Sequence, residues 1–145
     1  MPENAHTLRP PRTPDEWEQY HQIRRTVLFE ARGQCGYDAN HPDERKPDNH
    51  PLLLFHGEAP VGVIRIDLQG TLAIFRRVAV RAAMQRNGHG TVLLALAEDF
   101  ARSRGCTRAL SNVDAGAVGF YERGGFVRSA ASTGAAPTVV MEKSW

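Results

Sequence analysis

Cysteines and long apolar runs are scarce in this 145-residue chain. Cys35 and Cys106 lie far apart and form neither a Cys-x-x-Cys pair nor a framework of several bridges. This usage excludes a disulfide scaffold and favours a reducing compartment, so we expect a cytoplasmic protein with two structural or incidental cysteines. Residues 1–14 are polar and proline-rich and contain no long apolar run, so we expect neither a signal peptide nor a membrane span.

An excess of charge of either sign is also lacking. The 18 basic and 16 acidic residues nearly cancel, which leaves a formal net charge of +2. That balance argues against a nucleic-acid or membrane partner. With 41% hydrophobic residues, the chain suits one domain over residues 1–145. Four arginines lie near a glycine-rich loop: Arg76, Arg77, Arg81 and Arg86. They predict a local positive field, although arginines at strand ends are often simply solvated.

Metal-ligand spacing is absent as well. Residues 33–51 form a polar, proline-containing stretch that carries Cys35, Asp38, His41 and His50. These residues match no recognised ligand pattern, because the EF-hand pattern fails at Pro42 and no His-Glu-x-x-His occurs. We therefore predict no metal site.

Apolar periodicity predicts alternating strands and helices. Thr13 is placed to cap a first helix, with Pro14 in its first turn and Glu16 three residues after the cap. The predicted helices cover residues 14–32, 91–104 and 115–123. The predicted strands cover residues 5–9, 52–56, 61–69, 72–80, 108–113, 125–131 and 138–143. This order indicates an α/β fold with a mixed sheet, and Arg65 and Asp67 are expected on a polar face of it.

The junction between the strand at residues 72–80 and the next helix carries the clearest chemical signal. Residues 85–91, hereafter the phosphate loop, are glycine-rich and lead directly into that helix. Such a junction leaves unpaired backbone N–H groups where the helix dipole favours an anion. A nucleoside-triphosphate loop needs a lysine after the second glycine, but Thr91 follows Gly90; the dinucleotide fingerprint also fits poorly.

The phosphate loop resembles the Gln/Arg-x-x-Gly-x-Gly/Ala signature of the GNAT superfamily of N-acyltransferases, with Gln85, Gly88 and Gly90 in the matching positions. Residues 120–126 are similar to the Phe-Tyr-x-x-x-Gly-Phe element of the same family. The resemblance implies a mixed, mostly antiparallel sheet flanked by helices, in which a splayed strand pair forms an acyl-coenzyme A notch.

The resemblance also implies roles for individual residues. Main-chain groups of Val78 and Val80 would bind pantetheine, Asn112 would contact the same arm, and the Tyr121 hydroxyl would act as general acid. Local capping explains Asn112 equally well, and core packing is the alternative for Tyr121. The pyrophosphate would lie against the phosphate loop, although unusual dihedrals alone would also explain its glycines. The loop consists of Gln85, Arg86, Asn87, Gly88, His89, Gly90 and Thr91.

The general base is not identified by the motifs. Many relatives carry a glutamate where Ile74 stands here, and the strand at residues 72–80 contains no carboxylate. A water chain is one alternative, and four side chains are others: Glu30, His41, His50 and Asp67.

The implied activity is transfer of an acetyl group from acetyl-coenzyme A to a primary amine of a small molecule or peptide by direct attack. The alternative is a non-catalytic acyl-coenzyme A-binding or regulatory module. Residues 33–51 and 129–137 are expected to set specificity. Pairing through the last strand predicts a possible homodimer.

Overall fold

The computed structural model describes residues 5–129 and 138–145. Within these ranges the strands are β1 (His6–Arg9), β2 (Asn49–His56), β3 (Ala59–Gln69), β4 (Leu72–Val80), β5 (Arg108–Asp114), β6 (Val127–Arg128) and β7 (Thr138–Ser144). The α-helices are α1 (Pro14–Arg24), α2 (His89–Ser103) and α3 (Val118–Arg123). No described helix is both long enough and apolar enough to cross a membrane.

The strands form one mixed sheet in the order β1-β2-β3-β4-β5-β7-β6. Among the strands of residues 5–129 and 138–145, only the β4–β5 pair is parallel, so the predicted mostly antiparallel sheet is confirmed. β7 pairs with β5 along its whole length and with β6 at Met141 and Glu142. The last strand is therefore covered on both sides at these two residues, which removes that part of the edge proposed for dimerisation.

Helices cover both faces of the sheet, and this explains why β2 is apolar at successive positions. Leu53 packs beneath α1, whereas Leu52 and Leu54 face the other way toward α2. All three leucines are at most 1% exposed. Alternate residues of a strand point to opposite faces, so a strand between two helical layers needs an unbroken apolar run.

The start of α1 follows its sequence signal, but its end does not. Thr13 Oγ1 accepts a hydrogen bond from the Glu16 N–H at 3.1 Å, and the Glu16 carboxylate accepts one from the Arg12 N–H at 2.8 Å. Beyond Arg24 the helix widens into a π-helical turn at Arg25–Phe29 and then tightens into a 3-10 turn at Glu30–Arg32. The predicted single helix over residues 14–32 is thus right in extent but wrong in geometry.

The 3-10 turn Pro42–Arg45 lies in residues 33–51, a polar segment predicted as a loop that could hold a short helix. Three further boundaries differ from the sequence prediction. β2 starts at Asn49, because residues 49–51 already pair with β3. α2 starts at His89, two residues before the predicted start at residue 91. β6 covers only Val127–Arg128, whereas residues 125–131 were predicted. The rest of the predicted specificity segment, residues 130–137, lies outside the described residues.

Candidate active site

β4 and β5 separate partway along their length, as the predicted notch requires. They pair from Leu72 with Arg108 as far as Phe75 with Ser111, and the pairing then stops. A cavity of about 270 Å³ opens beyond this point between the two strands and α3. Its lining includes Phe75, Arg77, Val78, Ser111, Asn112 and Tyr121.

A bulge in β4 lies at the same level as this separation. On the β3 side, Arg76 pairs with Arg65 and Ala79 with Val63, so three steps along β4 match two along β3. Arg77, inside the bulge, has a φ of 57°, a left-handed conformation that is uncommon for arginine. Bulges bend strands and often lie beside active sites. No local sequence signal predicts this one, because arginine is not a typical residue for such a φ.

Tyr121 reaches the base of the notch from α3. It is 5% exposed, and its hydroxyl lies 3.3 Å from the hydroxyl of Ser111. The Ser111 hydroxyl donates to the Phe75 carbonyl at 3.2 Å. Burial raises the pKa of Tyr121, while the hydrogen bond to Ser111 opposes that effect. The phenol therefore keeps its proton at neutral pH. Ser111 was missed from the sequence, since a serine inside a strand has no distinctive spacing.

The phosphate loop leaves several N–H groups available at the start of α2. Arg86 and Gly88 both have left-handed backbone conformations, with φ values of 68° and 84°. The Val92 N–H donates to the Gly88 carbonyl at 3.2 Å. The amides before Val92 in the first turn have no intrahelical acceptor, which makes this helix start suitable for an anion.

The predicted loop residues differ in what their side chains do. Gln85 donates from its side-chain amide to the Val80 carbonyl at 3.0 Å, which ties the loop to the end of β4. Asn87 and Thr91 are exposed, whereas His89 is 5% exposed and turns toward β1. In the phosphate loop, the side chains of Gln85 and His89 therefore contact the sheet, whereas those of Asn87 and Thr91 are exposed to solvent.

Gly88 and Gly90 are required to be glycine for different structural reasons. Gly88 needs its positive φ, and a Cβ there would meet nothing within 4 Å. At Gly90 a Cβ would lie 3.0 Å from Cζ of Phe120. Dihedral freedom therefore explains Gly88, and close packing against α3 explains Gly90.

The predicted arginine cluster around the loop does not form. Arg76 pairs with Asp67 at 2.8 Å, and Arg77 lies over the Phe29 ring, 5.5 Å from its centroid. Arg81 donates to the Pro60 carbonyl at 2.8 Å. Arg76, Arg77 and Arg81 project in different directions from β4 and from the residue that follows it. Of the four arginines, only Arg86 lies in the phosphate loop.

A second, larger cavity adjoins the notch. It measures about 630 Å³ and shares Phe75, Arg77 and Asn112 with the notch. Asn112 is exposed between the two. Four arginines and two aspartates line this second cavity, hereafter the arginine cavity: Arg24, Arg65, Arg76, Arg77, Asp38 and Asp43.

A buried carboxylate organises one wall of the arginine cavity. Glu44, from the 3-10 turn Pro42–Arg45, forms a short ion pair with Arg24 of α1 and a longer one, 3.4 Å, with Arg65 of β3. It also accepts a hydrogen bond from the Tyr20 hydroxyl at 3.1 Å. Glu44 thus joins a loop, a helix and a strand.

Arg65 and Asp67 are each only 6% exposed, which contradicts the expectation of an open polar face. The Arg65 guanidinium binds both carboxylate oxygens of Asp67, at 2.8 and 2.9 Å. Arg76 binds the same carboxylate. The charged residues that alternate with apolar ones along β3 therefore form buried ion pairs and do not face solvent, because α1 and Glu44 cover this face of the strand.

The four side chains predicted as candidate general bases differ in their exposure, in their partners and in their distance from the arginine cavity. Asp67 is occupied by two guanidinium groups, Glu30 is exposed, and His50 packs against Phe100 with ring centroids 5.3 Å apart. Only His41 lines the arginine cavity, but its Nδ1 accepts a hydrogen bond from the Asp43 N–H at 3.1 Å.

A pair that sequence reasoning missed lies in the same cavity. Tyr37 lines it, and the Tyr37 hydroxyl is 2.5 Å from Nδ1 of His21. Burial lowers the pKa of His21, and the positive charge of Arg24 lowers it further. His21 is therefore neutral near pH 7 and can accept a proton. The two residues are 16 positions apart, so no local spacing reveals the pair.

The sheet, the separated strand pair and the helix-start loop together define a class of acyltransferases built on a mixed sheet. The sequence model of the acetyltransferase (GNAT) family matches residues 17–126. The chain belongs to this family.

Two individual comparisons agree with that membership. A Bacillus subtilis (strain 168) protein, provisionally named an acetyltransferase, is 25% identical over 106 residues, 72% of each chain. A solved structure from Lactobacillus plantarum, provisionally named an N-acetyltransferase, is 26% identical with a TM-score of 0.80 over 97% of this chain and 99% of that one.

A third protein of known structure shares the fold. The PaiA N-acetyltransferase of Thermoplasma acidophilum, solved in complex with coenzyme A, is 16% identical. Its TM-score is 0.78 over 97% of this chain and 99% of that one.

Proposed function

We propose that this protein transfers an acetyl group from acetyl-coenzyme A to a primary amine by direct attack. The observation that carries the proposal is that the notch and the arginine cavity meet at Phe75, Arg77 and Asn112. A thioester in the notch would then face an amine in the arginine cavity. The free amides of the phosphate loop would hold the pyrophosphate, and β4 at Val78 and Val80 would follow the pantetheine arm.

On the donor side, Tyr121 acts as the general acid. Attack of the amine forms the C–N bond and breaks the C–S bond, and the departing thiolate takes the phenolic proton. Free thiols titrate near 8.5 and the phenol is held protonated by burial, so a proton is available when the sulfur leaves.

On the acceptor side, Tyr37 and His21 take up the proton that the amine must lose. The amine donates to the Tyr37 oxygen while the phenolic proton passes to Nδ1 of His21. This relay replaces the carboxylate that β4 lacks at Ile74. It requires neutral His21, which burial and Arg24 favour.

The acceptor carries an anionic group beside its amine. No ion pair joins Arg77 to a carboxylate of the described residues, and Arg76 shares Asp67 with Arg65. Burial lowers the pKa of Arg77, and the positive charges of Arg24 and Arg65 lower it further. An acceptor carboxylate would neutralise this uncompensated positive charge.

Thiol release from acetyl-coenzyme A with a panel of amines tests the activity. We expect turnover by the wild type and a fall in kcat of about 10²- to 10⁴-fold in Tyr121→Phe, because the acid is lost. Tight coenzyme A binding with no thiol release across the panel would instead favour a non-catalytic acyl-coenzyme A-binding module.

The acceptor class is tested with paired amines that differ only in a carboxylate. We expect Arg77→Gln to raise KM for the carboxylate-bearing amine and to leave KM for its neutral counterpart nearly unchanged. Arg108→Gln is the matched control, since Arg108 is exposed at the other end of β5. Equal KM values for both amines in the wild type would contradict an anionic acceptor.

The relay is tested by the pH profile of kcat/KM. Tyr37→Phe should lower kcat/KM and abolish the acidic limb that His21 sets. An unchanged profile in this variant would rule the relay out.

A further inference from the structure

Three histidines meet on the side of the phosphate loop that faces the sheet. His6 begins β1, His56 ends β2 directly opposite it in register, and His89 is the first residue of α2. One ring nitrogen of each histidine lies within 4.8 Å of those of the other two. His89 is buried, whereas His6 and His56 are partly exposed, so the cluster is open to solvent on one side.

The distances between ring centres are near those of imidazoles that share one ion. The ring planes are not yet aimed at one point, since His6 and His56 stack with 17° between their planes, so one of these two rings must turn when the ion binds. Tetrahedral coordination at a metal–nitrogen distance of about 2.1 Å places ring centres about 5 Å apart. The three centroid distances are 4.6 Å for His6–His56, 5.1 Å for His6–His89 and 4.9 Å for His56–His89. All three distances are close to this value.

The nitrogen lone pairs are only partly used by hydrogen bonds. Nε2 of His6 lies 2.8 Å from Nδ1 of His89, so this pair shares one proton. Among the described residues, no hydrogen bond reaches the His56 ring. A bound ion would replace the shared proton and use all three lone pairs.

We propose that His6, His56 and His89 bind one late first-row divalent metal ion, with Zn²⁺ as its representative and water as the fourth ligand. Imidazole is a ligand that Zn²⁺ prefers, and three protein ligands with one open position are common for it. The sequence predicted no metal site, because these residues are 50 and 33 positions apart and only the fold assembles them.

The position of the cluster gives the ion a structural task. His89 belongs to the phosphate loop, while His6 and His56 belong to two paired strands. The ion therefore fastens the loop to the sheet at the point where α2 begins. The backbone amides of residues 88–91 should become better protected from hydrogen exchange when the ion binds.

Calorimetric titration of Zn²⁺ into the full chain, prepared without a polyhistidine tag, tests the site. We expect one saturable site per chain. His56→Ala and His6→Gln should each lower the affinity for Zn²⁺. The loss should exceed the roughly 10- to 100-fold that is typical of losing an outer-sphere partner. His41→Ala is the matched control, because His41 is exposed and outside the cluster. It should bind like the wild type.

Two further measurements identify the geometry. Co²⁺ in place of Zn²⁺ should give the intense visible absorption of four-coordinate cobalt, and this band should be lost in His56→Ala. Hydrogen exchange at residues 88–91 should slow with Zn²⁺ in the wild type and in His41→Ala only.

The proposal is overturned if the wild type shows no saturable Zn²⁺ binding, which would leave a hydrogen-bonded histidine cluster. It is equally overturned if His56→Ala and His6→Gln, both folded by circular dichroism, bind as tightly as His41→Ala. Neither result depends on acyltransferase activity.

Discussion

Ser111 connects β4 and β5 at the last residue pair before the strands separate. Its hydroxyl bonds to the Phe75 carbonyl and lies against the Tyr121 hydroxyl. One small side chain thus fixes both the end of the strand pairing and the orientation of the proposed acid. Motif matching identifies Tyr121 but not its support, because the support comes from a different strand.

Replacing Ser111 should affect catalysis more than folding. In Ser111→Ala we expect kcat to fall roughly 2- to 10-fold, the rate equivalent of one neutral hydrogen bond. The pKa of Tyr121 should rise further, because the hydrogen bond that lowers it is lost. Steady-state kinetics and ultraviolet titration of the phenol measure both effects. An unaltered tyrosine titration would show that Ser111 does not support Tyr121.

Glu44 is the residue whose replacement should destabilise the fold most clearly. Glu44→Gln leaves two buried guanidinium groups, those of Arg24 and Arg65, without their shared carboxylate. The free energy of unfolding should fall by about 3–5 kcal/mol in urea denaturation. The neighbouring Asp43→Asn breaks a more exposed pair with Lys46 and should cost less than about 1 kcal/mol. Equal losses in the two variants would contradict the buried-network interpretation.

At the scale of elements, the start of α2 and the middle of α3 are in direct contact. Gly90 and Phe120 approach so closely that a Cβ at Gly90 would lie 3.0 Å from the ring. The phosphate loop and the helix that carries Tyr121 are therefore packed as one unit. The two sequence motifs are 30 residues apart from Gly90 to Phe120, yet they are in contact in the fold.

A methyl group at Gly90 tests this contact. In Gly90→Ala we expect a destabilisation of about 1–3 kcal/mol, because Phe120 must move in a packed interior. Coenzyme A affinity should also fall, because the loop shifts with it. Gly116→Ala is the control, since a Cβ at Gly116 meets nothing within 4 Å, and its stability should change by no more than about 0.5 kcal/mol. Thermal unfolding that cannot tell the two variants apart would exclude a tight contact at Gly90.

At the scale of the whole molecule, a two-point ion pair fastens α1 to the edge strand β1. Arg9 donates to both carboxylate oxygens of Glu16 at 2.8 Å. This hydrogen bond, followed by the one from the Arg12 N–H, lowers the pKa of Glu16 from 4.5 to about 2. The attachment therefore depends on pH.

The direction of that dependence follows from linkage. Because the folded-state pKa lies below the unfolded value, the contribution of Glu16 to stability is complete above about 4.5 and is lost as the pH falls towards about 2. The stability difference between wild type and Glu16→Gln should shrink across this window in thermal unfolding. Glu18→Gln, on the exposed side of α1, serves as the control. A difference that is constant with pH would mean that Glu16 does not titrate in this way.

The sequence by itself determined the order of elements and the family. Apolar spacing gave α1, α2 and the central strands, and the phosphate loop with residues 120–126 gave the resemblance that the family model confirmed. These signals are local: a helix start, a strand alternation or a glycine turn is encoded within a few neighbouring residues.

Only the tertiary structure decided which distant side chains meet. Glu44 joins Arg24 and Arg65, Tyr37 meets His21, and the arginines near the loop disperse. The three histidines converge for the same reason. Strand register and helix packing fix these meetings, and both depend on the summed burial of the whole core, which no single segment of the chain encodes.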